Sequence, residues 1–247
     1  AGLGPAAEAV SQALATRLGL GLPALPWHAD RARMAQVGFE LALAAGVCAK
    51  IATDVLLLSQ AELGELREGG AESPSSAMPH KRNAGQAVMI RAAWQRVPGL
   101  AASLLAAMTP ELDRGAGSWQ GDSTTLGELL RLTGGAAQRL VRLLEGLEVD
   151  GARMAANLER FAGEAIAEGL AAALTLRLGR ERALGLAAEI AQEPAAGRRR
   201  RLEQELDSSG EISEVELDQL LSPARHLGDA SRLIDRALAL ADERGLG

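Results

Sequence analysis

Residues 69–85, a stretch rich in glycine, serine and proline, contain most of the side chains that could do chemistry. Two adjacent hydroxyls, Ser75 and Ser76, are followed by an imidazole, an ammonium, a guanidinium and an amide at positions 80–83. A helix is predicted to begin near Asn83, and its free backbone N–H groups and positive dipole end favour anions. This composition indicates a loop that closes over an anionic small molecule. The alternative is an ordinary loop in which Asn83 only caps the helix.

Three long helices are predicted to hold this loop. The proline-free stretch 29–68 repeats apolar residues at helical spacing. Its middle is apolar nearly all round, which predicts burial in a large bundle or an oligomer core. The second helix is expected over about 84–108 with a kink at Pro98, and the third over 124–148 with its N-cap at Asp122 or Ser123.

After Val149 the predicted helices become short. Six are expected, over 151–160, 164–178, 180–193, 197–207, 214–221 and 228–243. Asp150 is the expected N-cap of the first, and Ser213 and Glu216 form a capping box before the fifth. Aromatic residues make up only 2% of the chain, so no strand is predicted and the fold class is all-α. Two domains follow: a central helical bundle over 1–149 that carries the loop 69–84, and a small helical domain over 150–247.

Composition excludes several function classes. The formal net charge of −6 argues against nucleic acid as a partner, since phosphate binding needs a basic surface. A single cysteine and three widely separated histidines give no metal-ligand spacing, and there is no phosphate-binding glycine motif, so no metal, nucleotide or flavin cofactor is expected. No unbroken apolar run reaches about 18 residues and no signal peptide is visible, which predicts a cytoplasmic protein without a membrane partner.

Four other features are interpreted as structural. Cys48 is expected in the core, and His226 is expected to pack rather than react. The pair Gly134-Gly135 is interpreted as a point of close approach between helices, and the run Arg198–Arg201 as a solvated helix start.

The segment SPSSAMPHKRNAG resembles the signature loop of the fumarase/aspartase/argininosuccinate lyase superfamily, G-S-S-x-M-P-x-K-x-N-P. Its MPHKRN form is similar to the branch of 3-carboxy-cis,cis-muconate cycloisomerases, and the connector LPALPWHADRARM resembles that branch too. The resemblance extends over nearly the whole chain. It implies the long-helix central bundle of the superfamily fold followed by its small C-terminal helical domain.

The resemblance also implies the chemistry. Members move a proton on the carbon beside a carboxylate, through a doubly charged aci-carboxylate that preformed donors must stabilise. Ser75 would be the catalytic base. The implied substrate-binding residues are Ser76, Met78, Lys81, Asn83, Arg114 and Trp27. Two alternatives stay open: Asp113-Arg114 as a surface ion pair, and Trp27 as a packing anchor between prolines.

Departures from the family pattern bear on the substrate and on the partners. Pro74 and Ala84 replace a usual glycine and proline, and the chain starts in the middle of the family. The family builds each active site from three subunits of a homotetramer, so the chain alone is expected to be inactive until an intact parent or a separate N-terminal chain completes the site. The expected substrate is a small dicarboxylate or tricarboxylate. Besides lactonization of a muconate, cleavage of a substituted succinate to fumarate (as in adenylosuccinate lyases) and an inactive scaffold remain possible functions.

Overall fold

The computed structural model describes residues 4–25, 28–69, 84–112, 115–206 and 213–245. These form two compact units, Ala1–Val149 and Asp150–Gly247, each considered by itself. A 3-10 turn over Gly4–Ala6 opens the first unit. Its α-helices are α1 (Ala7–Leu18), α2 (Ala32–Leu58), α3 (Gly85–Trp94), α4 (Val97–Ala106) and α5 (Ser118–Glu145).

Helix α2 is the centre of the first unit, where it packs against α3, α4 and α5. Small residues let it approach its neighbours closely: a Cβ on Gly38 would lie 2.6 Å from Cδ1 of Leu104. One end of the core is built around Val55, Ile90 and Leu143, which are almost fully buried. Cys48 belongs to the same cluster, which confirms its predicted core position, and burial raises the pKa of its thiol.

The predicted helix over 29–68 is too long. Helix α2 ends at Leu58, Gly64 adopts a left-handed conformation (φ 64°), and strand β1 (Leu66–Glu68) follows. Strand β1 pairs antiparallel with β2 (Leu147–Val149), which follows α5. The expectation of no strand is therefore wrong, because three-residue strands are too short to show a periodic pattern.

The other two long helices also differ from the prediction. The second is interrupted at Gln95-Arg96 rather than kinked, and Pro98 lies in the first turn of α4, where a missing N–H costs nothing. The third begins at Ser118, six residues earlier than expected. Asp122 is therefore not a cap but a buried residue inside α5.

Gly134 and Gly135 do not mark a close helix contact. In the part of the chain that the structure describes, a Cβ on either would have nothing within 4 Å. We predict that Gly134→Ala stabilises the first unit by about 0.5–1 kcal/mol, because alanine loses less backbone entropy in a helix. Urea unfolding followed by tryptophan fluorescence measures this, since all three tryptophans lie before residue 150. Gly38→Ala is the contrasting control, expected to destabilise by about 1–3 kcal/mol through overpacking. A Gly134→Ala protein no more stable than the parent would contradict the prediction.

The second unit consists of shorter helices close to those predicted. They are α6 (Gly151–Arg160), α7 (Ala162–Leu178), α8 (Arg180–Gln192), α9 (Ala195–Leu206), α10 (Glu214–Leu221) and α11 (Ala230–Glu243). Asp150 caps α6 by accepting from the Arg153 N–H at 2.9 Å, and Ser213 Oγ accepts from the Glu216 N–H at 3.3 Å. The cap at Asp150 is confirmed, and of the capping box at Ser213 and Glu216 the half made by Ser213 is confirmed. The Glu216 carboxylate instead accepts from Nη2 of Arg177 at 2.7 Å. Ile166, Leu186 and Leu202 are fully buried members of one core.

Charged residues of α8 and α9 form a surface ion-pair network. Nε of Arg182 donates to Oε1 of Glu205 at 2.6 Å, and Nε of Arg201 donates to Oε2 of Glu189 at 2.9 Å. These hydrogen bonds lower the pKa of both glutamates. The run Arg198–Arg201 thus lies near the start of α9, as predicted, but it is ion-paired, and only Arg200 of the four is exposed. His226 packs too: its Nε2 lies 2.8 Å from the Leu220 carbonyl oxygen.

Helix α2 is long and apolar enough to cross a membrane by length and composition, although single charges interrupt its apolar runs. Length and composition are weak evidence for a membrane span, because core helices of soluble proteins share them. In the most apolar 18-residue stretch of α2, only 28% is buried within the described structure. Val37, Phe39, Leu43 and Val47 are among its exposed apolar side chains.

Candidate functional site

The residues to which the sequence analysis gives roles lie outside the described residues. These are Trp27, Ser75, Ser76, Met78, Lys81, Asn83 and Arg114. Their roles remain predictions. The structure does describe the elements that flank each of them, and these elements define the frame of the candidate site.

Residue Glu68 joins the two elements on either side of segment 70–83. It ends strand β1, and its carboxylate reaches the first turn of α3. Oε1 accepts from the backbone N–H of Gln86 at 2.8 Å, and Oε2 accepts from that of Ala87 at 3.3 Å. The N-cap position of α3 is Ala84, so the helix does not start at Asn83. The expected anion site at this helix terminus is therefore wrong in part, because two of its N–H groups already bind a carboxylate of the protein.

Two further contacts fix this frame. The Gly69 N–H donates to the Gly146 carbonyl oxygen at 2.7 Å, extending the β1–β2 pairing by one residue. A Cβ on Gly69 would overlap that oxygen, so a side chain does not fit there. From α5, Nη1 of Arg139 donates to Oε1 of Gln86 at 2.8 Å. Strand β1, helix α3 and helix α5 therefore hold the described residues on either side of segment 70–83.

The connector before α2 ends at a buried ion pair. Nη2 of Arg31 contacts Oδ2 of Asp122 on α5, and the two side chains are 11% and 6% exposed. Among the described residues, Nε of Arg31 is a buried polar atom without a hydrogen-bond partner. His28 and Arg31 also line a groove beside Leu14 and Leu18 of α1. The sequence analysis missed this pair. Helical spacing could have indicated that Asp122 is buried, since it lies seven residues before buried Leu129, but not that Arg31 is its partner.

The residues next to Arg114 are held by a local turn. Oε2 of Glu111 accepts from the Ala116 N–H at 2.9 Å, and this bond lowers the pKa of Glu111. Leu112 has a positive φ of 49°, which a bulky residue rarely adopts. Helix α5 begins at Ser118, shortly after this turn and four residues before Asp122.

Comparison with known proteins now bears on this frame. A family model described as "Lyase" matches residues 2–99, which include segment 70–83. The 3-carboxy-cis,cis-muconate cycloisomerase of Pseudomonas aeruginosa is 44% identical over 244 residues, 97% of this chain and 53% of the relative. The nitrosuccinate lyase of Streptomyces davaonensis is 41% identical over 242 residues, 96% of this chain and 51% of the relative. The crystal structure of the 3-carboxy-cis,cis-muconate lactonizing enzyme from Pseudomonas putida has a TM-score of 0.81 and 41% identity, covering 96% of this chain and 53% of that one.

The chain is similar along nearly its whole length to lyases of the fumarase/aspartase superfamily, and its all-α fold is the fold of that superfamily. Within it, the chain is similar to several proteins named 3-carboxy-cis,cis-muconate cycloisomerase, at 33–44% identity. The resemblance inferred from the signature loop is confirmed. The chain spans about half the length of these relatives.

Proposed function

We propose that this chain is part of an enzyme that lactonizes a carboxylated muconate, or runs the reverse elimination, in aromatic catabolism. The observation that carries the proposal is the similarity to 3-carboxy-cis,cis-muconate cycloisomerases along nearly the whole chain, at up to 44% identity over 97% of its residues. This function would place the enzyme in the β-ketoadipate pathway. Its proposed location is the cytoplasm.

In the proposed mechanism a substrate carboxylate oxygen bonds to one carbon of a double bond, and the neighbouring carbon gains a proton. In the reverse direction Ser75 takes that proton and the carbon–oxygen bond breaks. Both directions pass through an aci-carboxylate, whose charge Lys81 and Asn83 would stabilise. Ser76, Met78, Arg114 and Trp27 would orient the substrate.

The proposed assembly is a homotetramer in which several subunits contribute to each site. We assign the unit Ala1–Val149 to the central bundle and Asp150–Gly247 to the small C-terminal domain. The exposed apolar side chains of α2, Phe39 and Leu43 among them, support burial between subunits. The half of the relatives' length that this chain does not span supplies further site residues, from the same polypeptide or a separate one. The complete enzyme below means this chain together with that half.

A second candidate function is cleavage of a substituted succinate to fumarate. The specific observation in its favour is the 41% identity to a nitrosuccinate lyase, close to the value for the cycloisomerases. Proton abstraction beside a carboxylate is common to both reactions, so the same frame serves either. The name of this relative suggests a class of substrate: a succinate that carries a nitrogen-bearing leaving group.

A substrate panel tests these functions. The complete enzyme is expected to remove the ultraviolet absorbance of 3-carboxy-cis,cis-muconate, whereas fumarate absorbance from substituted succinates would favour the second candidate. The 247-residue chain alone is expected to be inactive. Turnover by that chain would contradict the shared site. No turnover and no thermal stabilisation of the complete enzyme by fumarate or citrate would favour the inactive scaffold, because a ligand of the folded state must stabilise it.

A further inference from the structure

The carboxylate of Glu68 is the contact between the two elements that bound segment 70–83. We infer that Glu68 is a positioning residue for the reaction, holding the start of α3 against the end of β1. The inference rests on the proposed function for its catalytic consequence, and on described residues for its geometry. Glu68 accepts from Gln86 at 2.8 Å and from Ala87 at 3.3 Å, one bond to each oxygen.

The chemistry of this contact favours a carboxylate. The first N–H groups of a helix have no partner within the helix, and the positive dipole end adds an electrostatic attraction for an anion. Hydrogen bonds to an ionised group are shorter and stronger than neutral ones. A glutamine could accept only through one atom, and its NH₂ group would face the second N–H.

The contact also fixes the separation of the two attachment points of segment 70–83. Gly69 is held to Gly146 by a 2.7 Å hydrogen bond, and Gln86 is held to Arg139 by one of 2.8 Å. Glu68 connects these two anchored positions directly. Because a displacement of about 1 Å can cost roughly 100-fold in rate, loss of the connection should affect turnover more than folding.

The expected kinetic effect follows from this positioning role. Glu68 is bound to backbone N–H groups of α3, and no substrate contact is proposed for it. Its loss should therefore lower kcat more than it changes KM.

The test compares Glu68→Gln, Glu68→Asp and Glu148→Gln in the complete enzyme. Glu148 is the matched control, because it lies on the partner strand and its carboxylate pairs with exposed Arg67 at 3.2 Å. For Glu68→Gln we expect kcat to fall about 10- to 100-fold, with KM within about threefold of the parent value. Glu68→Asp, which keeps both acceptors and the charge, should recover part of that loss. Amide exchange at Gln86 and Ala87 should accelerate in Glu68→Gln alone.

The outcomes separate this inference from the proposed function. An active parent enzyme whose kcat is the same in Glu68→Gln and Glu148→Gln overturns the inference, whether or not amide exchange changes. A stability loss with unchanged kcat assigns Glu68 a structural role only, which also overturns it. A parent enzyme that turns over no member of the substrate panel contradicts the proposed function instead, and unchanged exchange at Gln86 and Ala87 then overturns the contact itself.

Discussion

Replacing Ser75 with alanine is expected to lower kcat of the complete enzyme by about 10²- to 10⁴-fold, the range for loss of a general base. KM should change much less, because the hydroxyl takes part in proton transfer rather than in binding the substrate carboxylates. Steady-state kinetics on the better substrate of the panel measures both constants. Ser103→Ala is a suitable control, since Ser103 is an exposed serine of α4 whose hydroxyl bonds only locally, to the Gly99 carbonyl at 2.9 Å.

A Lys81→Ala variant gives the electrostatic counterpart of this result. The ammonium is proposed to face the aci-carboxylate, so its loss should lower kcat while Lys81→Arg retains the charge and part of the rate. Undiminished turnover in both Ser75→Ala and Lys81→Ala would remove these residues from the mechanism. The similarity to lyases of the superfamily would stand, because it extends along the chain and does not depend on these two side chains.

The sequence predicts the second unit better than the first, and the reason is physical. Its helix ends depend on local interactions: Asp150 and Ser213 each bond an N–H three residues away. Such caps involve residue types and spacings that are visible in the sequence. The boundaries of α6 and α10, the two helices that these residues cap, therefore match those predicted.

The frame of the candidate site depends on contacts between residues far apart in sequence. The pairing of Leu66 with Val149 and the ion pair of Arg31 with Asp122 have no local sequence pattern. A side chain at position 69 would overlap the backbone of Gly146, so only glycine fits there. Gly134, in contrast, has open space around it. The sequence predicts a close approach at Gly134 and none at Gly69, and the packing shows the opposite.

In the signature loop, the residue types indicate the kind of ligand better than the expected helix geometry does. Its hydroxyls and cations predict an anionic substrate directly. The accompanying inference, that the free N–H groups of the next helix help to bind the anion, is wrong in part because Glu68 already occupies two of them. No sequence pattern links Glu68 to Gln86, since the segment between them could adopt many paths.

The buried ion pair supports the largest stability prediction. Asp122→Ala is expected to destabilise the first unit by about 3–5 kcal/mol, because it leaves the Arg31 guanidinium buried without a counter-charge. The side chains are only 11% and 6% exposed, and Arg31 already has one unsatisfied nitrogen. Urea unfolding followed by tryptophan fluorescence reports this unit specifically, since the second unit has no tryptophan.

A matched control for this variant exists on the same helix. Glu128 of α5 pairs with Arg96, the residue before α4, just as Asp122 pairs with the residue before α2, but Arg96 is 58% exposed. Glu128→Ala should therefore cost at most about 1 kcal/mol. The double variant Arg31→Leu/Asp122→Leu should be more stable than Asp122→Ala, since removing both charges avoids the uncompensated one. If Asp122→Ala cost no more than Glu128→Ala, the guanidinium would have to reach water after the substitution, and the buried pair would contribute little to holding α2 against α5.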